Sequence, residues 1–109
     1  MKAPQTNLPH AKRATPKLVR EKYGNESYEY YPLGKYVVSA PGVCGGRPTF
    51  KHTRLEVSVI LGLVASGATV SEIVERYASS KLSPQAVKEA IKLASETLEA
   101  SALALQPAS

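Results

Sequence analysis

From Ser83 onward the chain commits to one long helix. Ser83 supplies the short side-chain oxygen of an N-cap, and Pro84 suits the first helical position, where its missing N–H has no intrahelical partner to lose. Val87, Ile91, Ala94, Leu98, Ala102 and Leu105 then recur at spacings of 4, 3, 4, 4 and 3, one unbroken apolar stripe. A chain of 109 residues forms a single domain with one small core, which cannot cover a stripe of that length. Residues 98–105 are expected to protrude. Ile91, Leu98 and Leu105 are expected to pack on a partner or on a second copy, and the chain reads as a homodimer through this helix or through its β segments.

Two shorter helices precede it. Val57, Ile60, Leu61 and Val64 fall at helical spacing, and Gly67 ends the run. Val59 and Leu63 make this segment apolar almost all round, which predicts the central helix. Thr69-Val70-Ser71-Glu72 has the spacing of a capping box, and Ile73, Val74 and Tyr77 form the buried stripe of a short second helix. Residues 79–82 connect it to the long helix. Three helices with a short second and a brief connection before the third match a helix-turn-helix.

Residues 25–54 have a different period. Glu26, Tyr28 and Tyr30 alternate with Ser27, Glu29 and Tyr31, and Pro32-Leu33-Gly34 supplies a turn. Residues 35–40 are rich in β-formers, and residues 47–52 read as another short strand. Gly42 to Gly46 lacks the lysine-serine ending of a phosphate loop and reads as a tight turn. Residues 1–24 carry Pro4, Pro9 and Pro16, six basic side chains and one acid. They read as a flexible basic arm, with a turn or two of helix available over residues 17–23.

Charge is divided unevenly. Residues 1–54 hold 10 basic and 3 acidic side chains, and residues 55–109 hold 4 and 6. A basic half suits a polyanion or an acidic protein surface, and it also suits plain solvated charge. The single cysteine, Cys44, excludes an internal disulfide, and with His10 and His52 far apart no metal set can be placed. No triad and no paired carboxylates in a pocket can be assembled, so neither an enzyme nor a cofactor is expected. The apolar runs are too short to cross a membrane, and a cytoplasmic location is the expectation.

The stretch Cys44-Gly45-Gly46-Arg47-Pro48, followed by Thr53-Arg54-Leu55 and an apolar helix, is similar to the domain-of-unknown-function family four-three-three, whose members include VapB-type antitoxins. Gly67, the capped segment 69–77 and the Ser83-started helix follow in the family's order, and the resemblance spans about residues 36–95. Two positions depart from it. His52 stands where the family usually has glycine, and Glu56 where proline is common. His52 is strained if that position takes a positive φ. The resemblance implies a mainly α fold: a three-helix homeodomain-like or winged helix-turn-helix domain over 55–105, with a short N-terminal β-hairpin and Gly-rich turn over 25–54. It also implies a PIN-like ribonuclease partner whose clustered carboxylates hold a divalent metal. The arm's Lys12, Arg13, Lys17, Arg20 and Lys22 would pair with that cluster.

On the long helix, Gln85 can read adenine, and Lys88 can read guanine or hold phosphate, with Lys92 beside them. Lys81 and Ser83 lie at the approach, and Arg47, Lys51 and Arg54 add charge from the turn. Arg54 has a structural alternative, pinning its turn to backbone carbonyls. Glu89 opposes phosphate. The tyrosines between 28 and 36 can stack on unpaired bases or pack on a hairpin face. The expected function is an antitoxin-like protein that binds duplex DNA, represses its own promoter and neutralises the nuclease. The alternative is an interaction or dimerisation module of the same shape without DNA binding.

Overall fold

The computed structural model describes residues 17–105. Four strands come first: β1 (Val19–Tyr23), β2 (Glu26–Pro32), β3 (Val37–Ser39) and β4 (Thr49–Phe50). Three helices follow: α1 (Val57–Ala65), α2 (Val70–Arg76) and α3 (Pro84–Ala104). The strands make one antiparallel sheet in the order β1-β2-β3-β4.

This corrects the expected mainly α domain with a short N-terminal hairpin. The sheet is a full layer, and the fold is a four-stranded antiparallel sheet packed against three helices. The missing strand is β1. Its segment, expected as arm or helical turn, pairs along its whole length with β2, from Val19 opposite Tyr30 to Tyr23 opposite Glu26. Gly24 takes φ 67 in the two-residue connection Gly24-Asn25, the backbone a tight hairpin turn needs. The basic residues of 17–22 mask a β pattern that only the partner strand makes visible. Residues 1–16 lie outside the described residues.

The helices begin and end as their sequences dictate. Thr69 Oγ1 accepts the Glu72 N–H at 3.1 Å, and Glu72 Oε1 accepts the Thr69 N–H at 2.8 Å, a complete capping box. Ser83 Oγ accepts the Ala86 N–H at 3.1 Å, with Pro84 in the first turn. Gly67 follows α1 at φ 104. Helix α1 is not central: only Val57 and Ile60 are buried, and Val59 is 47% exposed. It packs against α2 and α3, with Leu61, Leu63 and Val64 partly buried against the core.

Strand β3 separates two cores. Val37 faces the larger one, where Phe50, Ile60, Ile73, Leu82 and Val87 meet. Val38 faces the smaller one with Tyr30 and Ala40, flanked by Val19, Tyr28 and Val43. Alternation along a strand sends neighbouring side chains to opposite faces, so β3 is buried on both. Side chains of the β1–β2 hairpin therefore pack with Val38 on the face of β3 turned away from the larger core.

Candidate nucleic-acid and partner interfaces

Helix α3 presents two surfaces. Its buried residues are Ala86, Val87 and Ala90, all in the first turns, and Ile91 and Leu93 pack against the same core. Gln85, Lys88 and Lys92 lie on the exposed side. Neither lysine forms an ion pair with a described residue, so both charges are available to an anion. Glu89 is turned away from that side. Its carboxylate accepts the backbone N–H groups of Lys35 at 2.8 Å, Tyr36 at 2.7 Å and Val37 at 3.1 Å. The expected opposition to phosphate is thus spent on the β2–β3 loop.

The second surface is apolar. Beyond Ala90 the helix outruns the core, and a groove of about 490 Å³ opens between α3, α1 and the β2–β3 loop. Leu33, Val57, Leu61, Leu93 and Leu98 line it. Leu98 is 72% exposed and Leu105 83%, at the end of a 21-residue helix. Of the three residues expected to meet a second copy, Leu98 and Leu105 are open, whereas Ile91 is partly buried against the core.

The other expected contacts divide by partner. Lys81, at φ 58, and Arg54 are exposed. Ser83 is engaged as the cap of α3. Arg47 is held by Glu56, Nε to Oε1 at 3.0 Å and Nη2 to Oε2 at 3.1 Å. Each ion stabilises the other: Glu56 holds the Arg47 guanidinium above its usual range, and Arg47 holds the Glu56 carboxyl below its own. The turn is pinned by Thr53 rather than Arg54. Thr53 Oγ1 donates to the Phe50 carbonyl at 2.7 Å and accepts the Leu55 N–H at 3.0 Å. The Cys44 thiol donates to the Arg54 carbonyl at 3.4 Å, and its backbone takes φ 50 at the start of the turn Cys44–Gly46. Of the basic arm, Lys17 and Lys22 are exposed, and Arg20 pairs with Glu29 across the hairpin at 2.6 Å. Lys12 and Arg13 lie outside the described residues. Among the described residues no group of three acids, histidines or cysteines is placed to hold a metal, and no helix is long and apolar enough to cross a membrane.

The family described as "Protein of unknown function (DUF433)" matches residues 37–94, just over half of the chain. The chain belongs to this family. No curated protein and no solved structure matches it. The DUF433 segment starts at β3 and ends within α3, so the hairpin β1–β2 lies outside it.

A polar and aromatic clasp joins that hairpin to the DUF433 segment. It centres on His52, which does take a positive φ, 65°. The His52 N–H donates to the Tyr28 hydroxyl at 3.0 Å, and its ring stacks on Tyr23 with centroids 4.1 Å apart and planes within 4°. Glu21 reaches across from β1. Its carboxylate accepts the Tyr30 hydroxyl at 2.7 Å and the Lys51 ammonium at 3.3 Å, and lies 3.5 Å from His52 Nε2. The Tyr30 hydroxyl, then Lys51, holds the Glu21 carboxyl below its usual range. Lys51 is held above its own, first by Tyr30 and then by Glu21. Lys51 is therefore committed to the fold rather than free for phosphate. The tyrosines serve the hairpin: Tyr30 is buried, and Tyr28 lies between Tyr30 and His52. Neither the clasp nor the Glu89 contact is visible in the sequence, because each joins residues dozens of positions apart with no spacing signal.

Proposed function

We propose that this chain is an antitoxin-like protein that binds duplex DNA through the polar side of α3, represses its own promoter, and holds a PIN-like ribonuclease in the cytoplasm. One observation carries this reading: α3 bears two unpartnered surfaces, a polar one with Gln85, Lys88 and Lys92 and an apolar one running to Leu98 and Leu105. A polar side is common to surface helices, but an apolar side left uncovered exceeds what a purely structural helix needs. Lysines on the first turns after a short helix and a connection suit phosphate or guanine in a major groove. The apolar side suits a second copy, and two copies place two reading helices on one duplex. Lys17 and Lys22 remain exposed for the carboxylates of a nuclease.

The test has two parts. Fluorescence anisotropy on duplex DNA should show affinity falling with salt, and Lys88→Ala and Lys92→Ala should each lower the salt slope by about 1. A salt-independent signal, or slopes unchanged by both substitutions, refutes the DNA contact. A tagged chain drawn from nuclease-treated extract of its host should bring down a small nuclease in stoichiometric amount and block its activity. Recovery of the chain alone refutes the nuclease partner.

The alternative, an interaction module without DNA binding, is favoured by the commitment of Arg47 to Glu56 and of Lys51 to Glu21, which removes two expected phosphate contacts. It predicts a dimer whose mass is stable in salt and which leaves DNA unbound at low ionic strength.

A further inference from the structure

We propose that Glu89 is a positioning residue that sets the rotation of α3 and so decides which side chains meet a duplex; this rests on the DNA reading above. The contact is built from both sides. Glu89 stands one helical turn after Gln85, directly after Lys88 and three residues before Lys92. Its carboxylate takes three successive backbone N–H groups, from Lys35, Tyr36 and Val37. Oriented N–H groups of this kind make a local anion site, and here the occupant is the chain's own side chain. The loop is shaped to receive it. The Leu33 and Gly34 N–H groups both donate to the Val37 carbonyl, at 2.9 and 3.0 Å, folding residues 33–37 into a tight turn. A Cβ on Gly34 would lie 2.6 Å from the Glu89 carboxylate, so a side chain there makes the carboxylate shift from its place in the turn.

Two consequences follow for a helix reading DNA. The first is geometric. A side chain pinned by three directional bonds adds a fixed point about the helix axis to the close packing of Ala86, Val87 and Ala90. The second is electrostatic. A carboxylate adjacent to Lys88 would repel phosphate if it pointed outward. Turned inward and bound by N–H dipoles, it removes its own charge from the first turns, where Gln85, Lys88 and Lys92 are exposed.

The experiment separates positioning from charge and from folding. A random duplex pool is selected on the wild-type chain, and the selected duplex and its scrambled version are titrated against variants. Glu89→Ala should lose about tenfold or more of the preference for the selected duplex. Binding to the scrambled duplex should hold or strengthen, since a negative charge is gone. Gly34→Ala, which crowds the carboxylate from the loop side and leaves α3 untouched, should lose the same preference. Glu89→Gln, with one acceptor oxygen left, should fall between. A retained preference in Glu89→Ala or Gly34→Ala overturns the proposal while leaving the DNA reading in place. Parallel loss on both duplexes, with early melting, also overturns it and marks Glu89 as structural only. If the wild type selects no duplex and Lys88→Ala changes nothing, the DNA reading fails and this role with it.

Discussion

His52 sits at φ 65, a left-handed conformation that costs a residue with a β-carbon about 1–2 kcal/mol. Glycine, without a β-carbon, avoids that cost. The chain accepts it because the histidine ring stacks on Tyr23 and packs on Tyr28, contacts that glycine cannot make. His52→Gly should therefore act on the hairpin and spare the helices. Hydrogen exchange should quicken over residues 19–32, while amides of α1 to α3 keep their protection; equal loss in both regions would count against the clasp. Glu21 gives the same clasp a pH dependence. Its folded carboxyl titrates below the ordinary value of 4.5, chiefly because Tyr30 donates to it. The resulting stability is present above pH 4.5 and is lost as pH falls through the lowered value. Hairpin protection should decline over that acidic range, and Glu21→Gln should remove the decline. At this scale the sequence was legible where bonding is local. The capping box and the Ser83 cap join residues three apart, so type and spacing reveal them. The departure at His52 was visible as a question about φ, but its partners come from strands that sequence spacing does not connect.

Helix α3 shows how element length exceeds what one domain can bury. At about 1.5 Å per residue its 21 residues span roughly 31 Å, and its buried positions all precede residue 91. The stripe was readable, and so was the overhang. Which stripe residues belong to the core and which to a partner was not, since periodicity gives a side of the helix but not its depth. Ile91 is partly buried against the domain; Leu98 and Leu105 are free. Leu98→Glu should thus leave the monomer's melting nearly unchanged and reduce the mass seen by light scattering from dimer to monomer. An unchanged mass removes this face from the interface. Strand β1 was hidden for the opposite reason. Edge strands with alternating charge carry little hydrophobic signal, and Arg20 and Lys22 gave the segment the look of an arm. Helix α1 misled through excess: an apolar side chain such as Val59 can stay on the surface, so composition alone does not make a helix central.

The whole molecule is two hydrophobic clusters sharing a short sheet. Thr49, on β4, is fully buried, and its Oγ1 has no hydrogen-bond partner among the described residues. It pairs with Val38 in the register of the sheet. A buried hydroxyl without a partner costs about 1–3 kcal/mol. Thr49→Val, which keeps the shape and removes the polar atom, should raise the melting temperature by several degrees, about 4–8 °C for each kcal/mol gained. A drop in melting would mean that the hydroxyl is satisfied in solution. The division into two clusters was not legible, because alternation along residues 35–40 shows that both faces of a strand are apolar without showing what lies against each. The family match starts at Val37, the residue turned toward the helices, and its neighbour Val38 turns toward a hairpin that the match leaves out. Strand β3 is a party wall between an inherited house and an annex. A relative built without the annex has weather on that side of the wall: it should carry a polar residue in place of Val38, or borrow its roof from another chain.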